Sequence, residues 1–316
     1  VAALVCRHNP TLLWARNGAD VEEINTTRRH TKRLGDVQLP RRLRATTDLE
    51  EAVSDADVVV VGVPTSGFRE TVAASAPFVR PWVPVVSLSK GFEAGTMKRM
   101  TEIVTELLPG HPVAALSGPN LAKEIMAGSA AASVIATADQ EVAMELQSVL
   151  GQGMFRIYRN HDVIGCEVAG ALKNVVAVAT GMAQGLSVGD NTRGAVITRG
   201  LSEITRVGVA LGAEPLTFAG LAGMGDLITT CISPLSRNRF VGEQLGIGRP
   251  LDEVLAGMTS VAEGVRTAPV LRELAERLGL ELPVCGEVWR VVAGEITPNE
   301  AYRGLELAAG HENEPG

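Results

Sequence analysis

The chain has 316 residues, enough for two domains with substantial cores, and its 46% hydrophobic and 21% charged residues are the balance of a globular protein. A formal net charge of −7 excludes a global basic field for nucleic acid or an anionic membrane, so an anionic ligand has to be met by a local cluster. Cys6, Cys166, Cys231 and Cys285 form no Cys-x-x-Cys pair, the histidines show no ligand spacing, no uncharged apolar run reaches about 18 residues and no signal pattern opens the chain. These features predict reduced thiols, no metal, no membrane span and a cytoplasmic setting, in which the Asn25-Thr26-Thr27 sequon is a chance match.

In chain order, "VAALVCRHNP" precedes a first strand candidate, "TLLWAR". The runs "DVVVVGVP", "VPVVSLSKG", "HPVAALSGP" and "AASVIAT" follow as further strands. They are nearly continuous in apolar residues, as a parallel sheet covered on both faces requires. Between them "DLEEAVSDA", "TMKRMTEIVTELLPG" and "DQEVAMELQSVLGQG" carry helical patterns, and the last two meet glycines near their C-caps. Alternating strands and helices predict a doubly wound, Rossmann-like α/β domain over residues 1–163. "FRIYRNHDVIG" is its last strand and exit. From residue 164 the strand signal stops. "CEVAGALKNVVAVATGMAQG", "AVITRGLSEITRVGVALG", "VRTAPVLRELAERLGL", "PVCGEVWRVVAGE" and "PNEAYRGLELAAG" predict an all-helical domain over 164–316, with a frayed polar tail, "HENEPG".

Chemistry in an open parallel sheet sits outside the carboxyl ends of the strands. Those ends carry "VPTSG", "SLSKG" and "SGPN", small enough for a ligand to approach the backbone. Each alone reads equally well as an ordinary turn. Lys90, just past a strand, is either a solvated lysine or a cation facing a phosphate. A helix beginning after Pro119 would offer free N–H groups to an anion. Arg16, at the end of "TLLWAR", suits the 2′-phosphate of NADP where an acidic residue would hold the ribose of NAD. In the helical half, Gly220, Gly223 and Gly225 before Asp226 read first as tight helix packing. Ser236, Arg237 and Asn238 can hold phosphate oxygens by charge-assisted bonds or form a polar loop.

Lys173 lies inside "AGALKNVVAVATG", an otherwise apolar helix. Desolvation and nearby cations lower a lysine's pKa towards neutrality, where it can exchange protons. The alternative is a lysine that snorkels its head to the surface.

"SLSKG", "SGPNLA", "AGALKN", "GLAGMGDLITTC", "SPLSRNRF" and "VAEG" occur in that order across most of the chain. In this combination the sequence resembles the bacterial NAD(P)-dependent sn-glycerol-3-phosphate dehydrogenases. The resemblance implies a Rossmann domain followed by a helical domain like that of 6-phosphogluconate dehydrogenase. It also implies hydride exchange between glycerol 3-phosphate and dihydroxyacetone phosphate with NADP or NAD as cofactor, supply of phospholipid precursors, and a homodimer. By the same resemblance Lys173 is the catalytic lysine, exchanging a proton with the C2 oxygen, and Lys90 contacts substrate and cofactor. Gly118, Asn120, Asp226, Ser236, Arg237 and Asn238 fall on substrate positions, and Arg16, Ala122, Arg237, Val261 and Glu263 on cofactor positions. Asn120 stands where the family commonly has Ser or Thr, and the glycine-rich pyrophosphate loop is absent from the chain.

Two other readings stay open: a dehydrogenase of the same build acting on a β-hydroxyacid or ketopantoate-like substrate, and a non-catalytic relic. "VAALVCRHNP" fits the later turns of a first Rossmann helix, which places the first strand and its glycine turn upstream of Val1. The expectation is that the 316-residue chain holds NAD(P)H weakly, and that a form about 15–30 residues longer is the active enzyme.

Overall fold

The computed structural model describes residues 1–258 and 261–308, with side chains as far as 303; the tail "HENEPG" lies outside the described residues. The chain divides into two compact units. The first comprises Val1–Ser89 and Lys98–Val163, the second Lys90–Met97 and everything from Ile164. A single cut after residue 163 therefore misplaces one excursion. Its physical reason is packing: Phe92 is buried in the core of the helical unit, and Met97 packs against the same core.

The first unit runs α1 (Ala2–Val5), β1 (Leu12–Trp14), α2 (Gly18–Thr27), α3 (Thr31–Leu34), β2 (Arg44–Thr46), α4 (Leu49–Val53), β3 (Val59–Val61) and α5 (Phe68–Ser75). It continues through β4 (Val85–Ser87), α6 (Met100–Leu107), β5 (Val113–Ser117), α7 (Ala122–Met126), β6 (Ala131–Ala136), α8 (Gln140–Leu150) and β7 (Phe155–Asn160). β1 and β2 form a parallel pair, Leu12 opposite Arg44, and the other five strands form a second sheet in the order β3-β4-β5-β6-β7. That sheet is covered on both faces, as its apolar runs predict. Val59, Val61 and Val85 pack with Phe68, Val72, Met100 and Ile103 of α5 and α6 on one side. Val86, Leu116 and Ile135 pack with Leu146 and Leu150 of α8 and Leu4 of α1 on the other.

One expectation is corrected. The sheet is not wholly parallel: β5 and β6 run antiparallel, Leu116 opposite Ile135. A parallel return needs a crossover that travels the length of the sheet. Here Gly118, at φ +128°, turns the chain directly after β5. The five-residue α7 rises only about 7 Å, so the chain re-enters from the end it left.

The sequence pattern missed α2 and β2, because α2 buries only Ile24 and β2 has three residues. Side-chain amides define both. Asn17 caps α2 by accepting from the Ala19 N–H at 3.0 Å. Asn25, the residue of the sequon, donates to the Ala45 carbonyl at 2.8 Å and accepts from its N–H at 2.9 Å.

The second unit is helical: α9 (Val163–Gly185), α10 (Asp190–Ala210), α11 (Pro215–Ala219), a π turn (Leu221–Gly225), α12 (Asp226–Ile232), α13 (Arg237–Gly246), α14 (Leu251–Ala256), α15 (Glu263–Leu278), α16 (Pro283–Val292) and α17 (Pro298–Ala308). No strand follows β7 among the described residues. α9 is long and apolar enough to cross a membrane, but most of its length is buried inside this unit. Leu172, Val175, Val176 and Val178 are fully covered by neighbouring helices, which makes α9 the central core helix.

Candidate active site

Lys173 does not snorkel. It sits nearly three turns into α9, 6% exposed, among apolar side chains. Its Nζ donates to Asp226 Oδ1 at 2.5 Å and to Thr230 Oγ1 at 2.5 Å. Thr230 in turn donates to the Asp226 carbonyl at 2.7 Å. Asp226 and Thr230 stand four residues apart on α12, hence on one face of the helix. The other oxygen of Asp226 accepts from Lys90 Nζ at 2.6 Å. Lys90 is thus no solvated surface lysine. Phe92, buried two residues later, anchors its segment to the helical core.

Two ammonium groups share one buried carboxylate, so the cluster carries an excess positive charge. Burial lowers the Lys173 pKa to about 8; Asp226 acts against that shift, and Lys90 adds to it. An ammonium poised there can give or take a proton near neutral pH. Cys231 lies next along α12, but burial lifts its thiol to about 11, so it stays protonated beside the lysine.

The geometry before Asp226 explains Gly223. Residues Leu221–Gly225 wind as a π turn that runs directly into α12. A Cβ on Gly223 would fall inside the backbone of Phe218, so the packing reading of that glycine holds. π turns recur where a helix aims a side chain at a functional centre.

Ser236, Arg237 and Asn238 stand together at the start of α13, but they are not equivalent. Ser236 is buried and caps the helix, accepting from the Arg239 N–H at 3.2 Å. Asn238 is buried and engaged at both ends of its amide. It donates to Asn174 Oδ1 at 2.8 Å and accepts from the Gly264 N–H at 2.9 Å. Arg237 is the exposed member. The Gly264 contact brings the start of α15, with half-buried Val261 and Glu263, against α13.

Within the first unit, Arg16 is exposed two residues beyond β1, next to the Asn17 cap of α2. Gly118 ends β5; a Cβ there would lie 3.1 Å from Ser133 Cα, so the turn and its packing both demand glycine. Asn120 accepts from the Ser133 hydroxyl. Ala122 is the first residue of α7, a helix too short to carry much of a dipole. Sequence reasoning missed Thr230, although its place four residues after Asp226 in a helical pattern was a usable signal. It also missed the tie from Asn174 to Asn238, which nothing in the sequence pairs.

Comparisons with known proteins identify the family. A family model described as the NAD-dependent glycerol-3-phosphate dehydrogenase N-terminus matches residues 1–143, and its C-terminal counterpart matches 162–303. A curated protein named glycerol-3-phosphate dehydrogenase [NAD(P)+] 2, from Sphingopyxis alaskensis, is 52% identical over 317 residues, spanning 100% of this chain and 95% of its own. The crystal structure of glycerol-3-phosphate dehydrogenase from Coxiella burnetii superposes with a TM-score of 0.92 at 31% identity, covering 98% of this chain and 94% of that one. A ketopantoate reductase from Ralstonia eutropha shares only the fold, with a TM-score of 0.60 at 16% identity over 95% of both chains. By sequence over its full length and by fold, the chain belongs to the NAD-dependent glycerol-3-phosphate dehydrogenase family.

Proposed function

We propose that the protein is an oxidoreductase that interconverts sn-glycerol 3-phosphate and dihydroxyacetone phosphate with NADP or NAD. The observation that carries this reading is the buried Lys173 ammonium, held by Asp226 and Thr230 with its pKa near 8. In the reduction direction Lys173 gives a proton to the C2 oxygen; in oxidation it takes one back. Asp226 keeps the lysine aimed and partly charged, and Lys90 supplies a second cation beside an anionic substrate. Arg237, exposed at the start of α13, offers a fork to the phosphate, with Ser236 and Asn238 holding that turn in place. The family resemblance adds Gly118 and Asn120, just past β5, as substrate positions.

The bound nicotinamide supplies the hydride acceptor or donor. The exposed guanidinium of Arg16 beside the capped start of α2 fits the 2′-phosphate of NADP; the family resemblance adds Lys90, Ala122, Arg237, Val261 and Glu263 as cofactor positions. The reading extends to a cytoplasmic homodimer whose reductive direction feeds phospholipid synthesis.

The test is loss of NADPH absorbance on adding dihydroxyacetone phosphate to purified protein, with ketopantoate as comparator. Turnover of the phosphorylated ketone alone is expected. Turnover of ketopantoate alone would overturn the substrate class, and turnover of neither would leave a binding protein.

A further inference from the structure

We propose that four glycines at the crossing of α9 and α13 are positioning residues for the reaction. They set the distance from the helix that carries Lys173 to the helix whose first turn carries Ser236, Arg237 and Asn238. This rests on the reading that Lys173 meets the C2 oxygen and Arg237 the phosphate.

Gly181 and Gly185 lie one turn apart on α9; Gly242 and Gly246 lie one turn apart on α13. A Cβ on any of the four would come nearer than 3.0 Å to the other helix, and the atoms it would meet are backbone. Gly181 faces the Arg239 carbonyl, Gly185 the Glu243 carbonyl, Gly242 the Val178 carbonyl and Gly246 the Met182 carbonyl. No side chain can swing aside, so a methyl group on either helix must push the other away. The register is regular. Residues 174, 178 and 182 of α9 oppose 238, 242 and 246 of α13, a four-residue ridge on each helix.

The site end of this seam is polar. One turn before Gly242, Asn238 joins Asn174 at 2.8 Å and the Gly264 N–H at 2.9 Å. Asn174 is the neighbour of Lys173 in the chain. The amide tie therefore works only at the helix separation that the glycines permit. Gly264 obeys the same rule, since a Cβ there would strike the Asn174 carbonyl. Pushing α13 outward would move the phosphate-facing turn away from the lysine while leaving both sets of side chains intact. A misplacement of about 1 Å from a remote change can cost about 100-fold in rate.

The experiment compares Gly181→Ala, Gly242→Ala and Gly246→Ala in the full chain, with dihydroxyacetone phosphate and its phosphate-free analogue dihydroxyacetone as substrates. General destabilisation lowers kcat/KM for both alike. Positioning predicts a selective loss. The KM for dihydroxyacetone phosphate should rise at least tenfold in Gly181→Ala and Gly242→Ala, and less in Gly246→Ala, one turn further from the amide tie. The preference for the phosphorylated substrate should fall in the same order. If the first two variants do not fold, Gly246→Ala decides, with a KM rise of threefold or more expected. A folded glycine variant with parental KM and parental preference overturns the proposal. Arg237→Ala separates this from failure of the underlying reading. An unchanged KM in that variant removes the phosphate assignment itself, whereas a raised KM there with parental glycine variants removes only the positioning role.

Discussion

Two of the charged side chains that the helical unit buries, Lys173 and Glu203, are held in opposite ways. Lys173, on α9, is paired with other side chains: Asp226, Thr230 and, through Asp226, Lys90. Glu203, on α10, is 2% exposed and accepts from the Val284 and Cys285 N–H groups at 2.7 and 2.9 Å, closing the start of α16. Burial pushes the Glu203 pKa up while those two backbone donors pull it down. A backbone N–H cannot give up its proton, so Glu203 is a fixed strut between helices. The partners of Lys173 are side chains rather than backbone, and burial lowers its pKa to about 8, which is the basis for proposing that its proton is exchangeable. On the proposed function, the kind of partner, not burial itself, separates a working charge from a structural one.

Removing the lysine should give the largest effect. Lys173→Ala should lower kcat by about 10²–10⁴-fold, the usual contribution of a positioned general acid or base, with the fold intact. A variant within twofold of the parent would erase the distinction drawn above. Glu203→Ala should do the reverse. It strands two buried N–H groups at about 1–3 kcal/mol each, so urea unfolding should show a loss of about 2–5 kcal/mol with kcat and KM unchanged. Loss of catalysis in a stable Glu203→Ala protein would mean that the strut also serves the chemistry.

Arg237 extends the contrast to an exposed charge. Because it is exposed, its charge-assisted bonds are worth less than buried ones. Arg237→Ala should raise KM for the phosphorylated substrate about tenfold, the effect of losing one charged hydrogen bond. A smaller effect is expected at Arg16, in the α/β unit. NADPH should be used at least as readily as NADH, and Arg16→Ala should lower kcat/KM for NADPH alone. A strong preference for NADH, unaltered in that variant, would show that Arg16 does not read the 2′-phosphate.

pH sharpens the comparison most finely. With the Lys173 pKa at about 8, ketone reduction should decline above that pH as the ammonium is lost, and alcohol oxidation should rise through the same midpoint. Its folded pKa lies below the ordinary lysine value of 10.5, so unfolding takes up a proton between about 8 and 10.5. That cost is fully present below about pH 8 and is relieved as pH rises through the window; Lys173→Met should abolish this part of the pH dependence of stability. Rate profiles without an inflection near 8 would detach the lysine from proton transfer.

Much of this was readable along the chain. The apolar runs that became β3 to β7 and the long helices α9, α10 and α15 follow from hydrophobic periodicity, which depends on neighbours a few residues away. Lys173 was conspicuous because a charge in an apolar helix must find a partner. The order of short motifs was enough to point to the family. What stayed hidden depends on residues distant in sequence. The segment Lys90–Met97 leaves its neighbours for the helical core because Phe92 packs there. β6 runs antiparallel because Gly118 turns the chain before any crossover can form. Nothing along the chain shows that Asn238, grouped with Arg237 as a ligand for phosphate, also ties Asn174 to Gly264. Composition and local pattern determined which elements form and which lysine is out of place. Only tertiary packing decided what that lysine touches, because hydrogen bonds and backbone contacts between helices act across tens of residues of chain and leave no periodic mark on it.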